Sequence, residues 1–391
     1  MIEIKHKKDC CGCHACASVC AHQAITMQTD NEGFLYPIVN KSICTDCGLC
    51  EQVCPVIHQG SPHQPLKVYA AQSNDDELRR QSSSGGIFTL LAEAVIHEGG
   101  VVFGAKFDER WNVIHSWTDT INGLASFRGS KYVQSTIGNT YREAKEFLHQ
   151  GRKVLFTSTP CQIAGLKRYL RKEYDNLITV DIICHGVPSP LVWQKYIGEM
   201  HAKGDITGFS FRDKTNGWAQ YACSLSYIEP PLGTESSSKA HTQLIPRSES
   251  LFMRGFLADL YLRPSCHSCP ARSGKSCSDI TLGDFWGIQA VHPEMNDNKG
   301  CNAVLIHSTK GQSLYDALEK NDTESRYENL LPENPSLEQD PKSTRYARKF
   351  WKQFALQGLE CILQICKQRD NWNLKKQHLK IKRFLQGLLK R

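Results

Sequence analysis

The residues with the clearest capacity for chemistry are cysteines. Eighteen occur in 391 residues, and nine of them fall between Cys10 and Cys54. They form an internal repeat, in which Cys10-x2-Cys13-x2-Cys16-x3-Cys20 is answered by Cys44-x2-Cys47-x2-Cys50-x3-Cys54. A 4Fe-4S cube needs four thiolates, and this spacing lets three neighbouring thiolates wrap one cube while the fourth reaches the other. The pattern assigns Cys10, Cys13, Cys16 and Cys54 to one cluster, and Cys44, Cys47, Cys50 and Cys20 to a second. Structural zinc also takes four cysteines but usually presents them as two pairs across a longer gap, which three consecutive short steps do not match. Cys11 is surplus to the pattern, and Ala21 stands where the second run has Pro55. The small residues Gly12, Ala15 and Gly48 and the apolar Ile25, Leu49 and Val53 are expected around the inorganic cores.

Further along, Ser82-Ser-Ser-Gly85-Gly86 lies directly before an apolar helical stretch. Glycines allow close backbone approach, hydroxyls donate, and free N–H groups at a helix start attract a phosphate. Taken alone, the stretch reads more simply as an N-cap with a flexible turn. Arg128-Gly-Ser-Lys131-Tyr132 places cations beside a tight turn and suits a phosphate or an acidic substrate. Two more cysteines, Cys161 and Cys184, each follow a predicted strand, and Cys266-x2-Cys269 adds a pair. Together these four suit a third cluster; the duller alternative is two inert buried cysteines plus a structural pair. Cys277 is a substitute ligand, whereas Cys223, Cys301, Cys361 and Cys366 show no ligand spacing.

The elements that must position these groups are legible in outline. A chain of this length predicts two or three domains. The cysteine-rich unit ends at Pro55, and His58 to Pro65 reads as a polar, Pro-containing linker. Val68–Ala71 and Gly100–Phe107 look like strands, with a helix over Gly86–His97 between them. A helix over Tyr141–His149, a strand over Lys153–Thr157, a helix over Gln162–Arg171 and a strand over Leu177–Ile183 follow. This β-α-β run favours parallel neighbours, whose carboxyl ends put the Cys161 and Cys184 loops on one sheet edge. Residues 205–260 suggest hairpins and an exposed loop, and beyond about Gly311 the sequence turns helical and polar. The expected architecture is multidomain α+β and α/β, with a dicluster ferredoxin-like module (1–60), a mixed α/β body in two parts (66–150 and 151–310) and a helical, basic C-terminal region (311–391).

The first sixty residues resemble bacterial dicluster ferredoxins. The body resembles the family of coenzyme F420 hydrogenase/dehydrogenase beta subunits through Ser83–Thr89, Arg128–Gln134, Thr159–Lys167, Cys184–Pro190, Phe211–Lys214 and Asp279–Gly287, an ordered series over roughly residues 66–310. Members of that family are flavin- and iron–sulfur-containing subunits. The resemblance implies FAD held by Ser84, Gly85 and Gly86 and by Arg128, Ser130, Lys131 and Tyr132, with Asp279, Asp284 and Trp286 lining the same pocket. No general acid or base is assigned, because flavin chemistry supplies the hydride step. His185 is either a proton donor or a histidine bonded to a backbone carbonyl.

Composition narrows the function. No apolar run approaches the ~18–20 residues of a membrane span, and the start lacks a secretory signal, so a cytoplasmic location is expected. The formal charge of +7 equals the seven Lys or Arg of residues 371–391, leaving the rest near neutral and arguing against a nucleic-acid binder. In that tail Leu374, Ile381, Leu385 and Leu388 recur at helical spacing among Lys375, Lys376, Lys382 and Arg383, which suits an anionic membrane surface, an acidic partner or a packed terminal helix. The resulting expectation is an oxidoreductase relaying electrons between two clusters, a third, and a flavin that exchanges hydride with an organic acceptor or coenzyme, alongside a redox partner protein. The alternative is an electron-transfer subunit of a larger complex with no substrate of its own.

Overall fold

In a computed structural model, residues 1–231 and 238–371 are described. The basic tail therefore lies almost wholly outside the described residues. The N-terminal module holds two short helices, α1 (Ala15–Val19) and α2 (Leu49–Gln52), one in each cysteine run. Between them an antiparallel hairpin pairs β1 (Ile25–Thr29) with β2 (Leu35–Val39).

The body is built on one eight-stranded sheet. Its strands are β3 (Lys67–Ser73), β4 (Val101–Phe107), β5 (Val113–Thr118), β6 (Val154–Thr157), β7 (Leu177–Ile182), β11 (Ile280–Asp284), β12 (Asn302–Ile306) and β13 (Lys320–Ser325). Their order is β13-β3-β12-β11-β7-β6-β4-β5. The central pairs β4·β6, β6·β7 and β7·β11 are parallel, as the β-α-β run predicts, and antiparallel strands flank them. Alternation along the strands then decides what covers each face. Val102, Leu155, Ile178 and Ile280 pack under α4 (Ile87–His97) and α10 (Thr309–Asp316). Val101, Phe103, Val154 and Phe156 pack under α5 (Thr140–His149) and α6 (Pro160–Leu170). The second layer extends to Cys11, Cys13, Ala15 and Val53, so the N-terminal module shares a core with the body.

Residues 205–246 form a separate antiparallel sheet, β8 (Asp205–Asp213), β9 (Ala222–Glu229) and β10 (Lys239–Pro246), in line with the expected hairpins. It packs with α7 (Pro190–Met200), α8 (Leu251–Leu257) and α12 (Arg345–Gln357). Short helices α3 (Asp76–Gln81), α9 (Ile288–Val291) and α11 (Tyr327–Leu330) complete the body.

Two expectations change. The region beyond Gly311 is not uniformly helical, because β13 pairs with β3 as an edge of the main sheet. Its sequence, Lys-Asn-Asp-Thr-Glu-Ser, has no apolar alternation; a strand paired on one side with polar side chains gives no periodic signal. The linker is laid along the body: the His63 amide donates to the Ser273 carbonyl at 3.1 Å and Leu66 to Ile306 at 2.7 Å. Among the described residues no helix is long and apolar enough to cross a membrane.

Candidate metal centres

Cys10, Cys13, Cys16 and Cys54 line one cavity, with Ile2, Ile4, Met27 and Val56 as its apolar wall. These are the four residues that the spacing groups together. Burial pushes the Cys16 thiol up, and the nearby sulfurs of Cys10, Cys54 and Cys50 push it further. Ligation reverses this, since a coordinating thiol is deprotonated outright. Backbone amides already point at sulfur: Gly12 donates to Cys10 at 3.4 Å, Ile2 to Cys50 at 3.2 Å and Ala24 to Cys20 at 3.3 Å. Such donors hold and tune cluster thiolates. Of the second set, Cys50 is buried, Cys20 and Cys44 are half-buried and Cys47 is exposed, so this side of the module faces outward.

Among the described residues no group of three or more His, Cys, Asp or Glu side chains is drawn tightly enough to hold a single metal ion. A cube spreads its thiolates around a larger core. The clearest fit to an anionic cluster is Arg263, which is fully buried and has no carboxylate partner among the described residues. Its Nε donates to the Cys10 carbonyl, Nη1 to Gln134 Oε1 and Nη2 to the Leu35 carbonyl, each at 2.8 Å, and Nη2 lies 3.5 Å from Cys10 Sγ. Its guanidinium lies over Tyr36 at 4.4 Å. A buried cation needs a counter-charge, and a cluster held by Cys10 would supply one. Gly12 makes the approach possible: with φ +70, a Cβ there would sit 2.7 Å from Arg263 Nη1.

A second cavity is lined by Cys161, Cys184, Cys266 and Cys269 together. The first turn of α6, which follows β6, and the loop after β7 bring the first two to the same sheet edge, and the turn over Pro264–Ser268 brings the others against them. Burial pushes Cys184 well up, with Cys266, Cys161 and Cys269 adding to it. Burial likewise raises Cys266 to about 12 and Cys269 to about 11. The Val187 amide donates to Cys266 Sγ at 3.4 Å. Cys277 is exposed and does not line this cavity. Cys11 lines both cavities. His185 is held by Asp259, Nε2 to Oδ1 at 2.6 Å, and not by a carbonyl.

The residues expected to hold a flavin divide. Ser84 is buried and donates to the Cys301 carbonyl at 2.8 Å; a Cβ on Gly85 would strike the Ala71 carbonyl, and Gly86 caps α4 with φ +90. The first amide of α4 is already taken by Asn302 Oδ1 at 3.2 Å. Ser130 meets Ser83, its amide donating at 2.7 Å. Arg128 donates to Gln81 at 2.9 Å, and desolvation pushes Lys131 down to about 7, with Nζ held by the Ser126 and Arg128 carbonyls. Tyr132, Asp284 and Trp286 meet around a residue to which sequence reasoning gave no role, Arg212. It pairs with Asp284 at 2.8 Å, donates to Tyr132 Oη at 3.1 Å and to the Ser83 carbonyl at 3.2 Å. Against the desolvation that burial imposes, Asp284 keeps this guanidinium firmly charged. Its Nε is buried with no partner among the described residues, beside Trp286 and the Trp218 ring stacked on it at 4.5 Å. An orphaned donor beside stacked indoles fits a flat, polar-edged cofactor. A charged residue between inward-facing Phe211 and the turn was the available signal.

The structure does not bring Asp279 to this group. It sits at the other end of β11 from Asp284, where its carboxylate accepts from Thr179 N and Oγ1 at 2.8 and 2.7 Å and from Ser308 at 2.6 Å. There it ties β7 to the start of α10.

Comparison with known proteins agrees in order along the chain. Residues 9–57 match a 4Fe-4S dicluster domain, 68–140 the coenzyme F420 hydrogenase/dehydrogenase beta subunit N-terminal domain, and 151–327 its C-terminal domain. A relative from Methanosarcina mazei, a component of its F(420)H(2) dehydrogenase, is 25% identical over 185 residues, 44% of this chain and 51% of that protein. The coenzyme F420-dependent sulfite reductase of Methanocaldococcus jannaschii is 23% identical over 205 residues, 50% of this chain and 30% of that protein. The chain thus spans about half or less of the curated relatives it matches. A chain of the F420-reducing [NiFe] hydrogenase complex from Methanosarcina barkeri superposes with a TM-score of 0.44 at 16% identity, covering 80% of this chain and 94% of that one. The match at 151–327 runs past Gly311 and takes in β13, so the strand that the sequence pattern hid is part of the matched body. Both halves of one family's fold follow one another behind a cysteine repeat, and the chain belongs to the family of coenzyme F420 hydrogenase/dehydrogenase beta subunits, with a 4Fe-4S dicluster domain at its N-terminus.

Proposed function

We propose that the chain is an iron–sulfur flavoprotein oxidoreductase that relays electrons, in either direction, between two N-terminal clusters, a third cluster in the body and a flavin. The observation that carries this reading is the pair of cysteine-lined cavities with a buried, carboxylate-free Arg263 bordering both Cys10 and the second cavity. Cys20, Cys44, Cys47 and Cys50 form the outer port, and Cys10, Cys13, Cys16 and Cys54 the inner step. Cys161, Cys184, Cys266 and Cys269 hold the body cluster. Beyond it, Cys184 is followed by His185, whose ring meets Phe256 at 5.6 Å; Phe256 in turn stacks on Tyr132 at 5.1 Å. The cysteine cavity and the Arg212 group are therefore linked by packed rings.

Tyr132, Ser130, Arg212, Asp284 and Trp286 would hold the flavin, with Lys131 and Arg128 behind them. The chemistry it would supply is exchange between single electrons and hydride. Asp284 and Trp218 fix the guanidinium and the indole stack, Trp218 Nε1 donating to Asp284 at 2.7 Å. An organic hydride acceptor completes the relay, and the names of the relatives make coenzyme F420 the first acceptor to assay. The exposure of Cys47 favours a second reading, a subunit serving another protein's chemistry, in which case the isolated chain would not turn over a small molecule. Iron, acid-labile sulfide, zinc and released flavin, quantified in one anaerobic preparation, test the proposal. About twelve irons per chain with stoichiometric flavin support it. About eight irons without flavin, or zinc without iron, overturn it.

A further inference from the structure

We infer that Cys11, which the ligand spacing leaves without a cluster, is the crossing point between the N-terminal module and the body: its side chain closes the wall between the two cysteine cavities and sets the electronic contact across it. The inference rests on the reading that both cavities hold clusters. Cys11 is 3% exposed and lies in the shared core with Ala15, Val53, Tyr141 and Ile163. Its side chain packs in one buried cluster with Cys13 on the module side, and Cys161 packs against that cluster from the body side. The position is fixed from behind: Gln134 Nε2 donates to the Cys11 carbonyl at 2.9 Å, and the same Gln134 accepts from Arg263 at 2.8 Å. On the opposite side a Cβ at Gly165 would lie 2.7 Å from the Cys13 Cβ, so α6, which carries Cys161 in its first turn, is drawn close to the module.

The step is a transfer of one electron. With both clusters bound it would pass from the one held by Cys10, Cys13, Cys16 and Cys54, which would be oxidised, to the one held by Cys161, Cys184, Cys266 and Cys269, which would be reduced; no bond forms or breaks. Electron transfer weakens steeply across empty gaps, and a sulfur in contact with ligand sulfurs on both sides fills one. A thiol donating to a ligand sulfur also favours the more negative, reduced cluster, and so raises its potential. Cys11 is thus a positioning residue for the relay and ligates nothing itself.

The test uses the full chain, reconstituted anaerobically, as wild type, Cys11→Ser and Cys11→Ala. Iron content is expected to be the same in all three. In Cys11→Ala one of the two clusters flanking Cys11 shifts its redox equilibrium toward the oxidised form by about tenfold, 59 mV for a one-electron couple. The cluster on Cys20, Cys44, Cys47 and Cys50 is expected to keep its potential. The magnetic coupling seen by electron paramagnetic resonance between the two flanking clusters weakens, and electron passage from module to body slows at least tenfold. Cys11→Ser, which keeps a donor in a smaller side chain, recovers most of the potential. Unchanged potentials and coupling in Cys11→Ala overturn the inference, as does a loss of about four irons, which would make Cys11 a ligand. A wild-type chain holding only about eight irons instead sinks the three-cluster reading itself, before any variant is compared.

Discussion

Replacing Arg263 by methionine removes the buried cation while keeping much of its aliphatic stem. Three charge-assisted hydrogen bonds are lost, to the Cys10 carbonyl, Gln134 and the Leu35 carbonyl, each 2.8 Å long. The two to Cys10 and Leu35 join the body to the N-terminal module, and at about 1.5 kcal/mol apiece for bonds to a charged partner their loss weakens its docking by about 3 kcal/mol. The charge has a second effect. Nη2 is 3.5 Å from Cys10 Sγ. For a cube whose centre lies roughly 6 Å from that charge, an effective dielectric of about 20 gives about 3 kcal/mol favouring the reduced state. Removing it should lower the potential of that cluster by roughly 100 mV, at 59 mV per tenfold. Hydrogen exchange over residues 1–57 reads the docking, and a redox titration followed by electron paramagnetic resonance reads the potential. Arg263→Lys should keep much of the potential, because the charge remains, but not the docking, because an ammonium lacks the planar fork. Unaltered exchange together with an unaltered potential in Arg263→Met would refute the role given to this residue.

Cys269→Ser should remove about four irons per chain and leave the N-terminal clusters in place, read by iron analysis and by the surviving resonance signals. Arg212→Met strands the Asp284 carboxylate and removes the free Nε; flavin content should fall well below stoichiometric while iron is retained, and full flavin occupancy would argue against the site. Burial pushes Asp181 up to about 6 from the 3.8 of a free carboxyl, even though Ser276 and Thr281 donate to it at 2.6 and 2.5 Å. Between those values the folded chain keeps a proton that the unfolded chain has released, so stability falls as pH rises through this window, by about 3 kcal/mol in all. Roughly half of that loss falls between pH 5 and pH 8. Asp181→Asn should abolish this dependence in urea unfolding, and identical pH profiles for the two proteins would contradict it.

Much of this organisation is legible in the sequence where chemistry imposes a short-range spacing. The grouping of Cys10, Cys13, Cys16 and Cys54 around one cavity is readable from the repeat, because three thiolates on one loop suit one cube. Cys161 and Cys184 could be placed on one sheet edge because parallel strands leave no other option once β6, α6 and β7 are read. What stayed hidden depends on long-range packing. Arg263 adjoins Cys10 across a sequence separation of 253, and no local pattern marks a cation that is buried without an acid. Arg212 emerges only when β8 is set beside the end of β11. Asp279 and Asp284 share a motif in sequence, yet a strand of five residues holds them at opposite ends, about 16 Å apart at the rise of a strand. The edge strand β13 escaped because polar residues on a one-sided strand carry no alternation.

The most direct test of the relay is an anaerobic reductive titration of the purified chain, counting the electrons it accepts. Three clusters taking one electron each and a flavin taking two predict about five electrons per chain, with flavin bleaching and cluster signals appearing in the same titration. Uptake of about two electrons with no flavin change would leave only the N-terminal module active and would contradict the account.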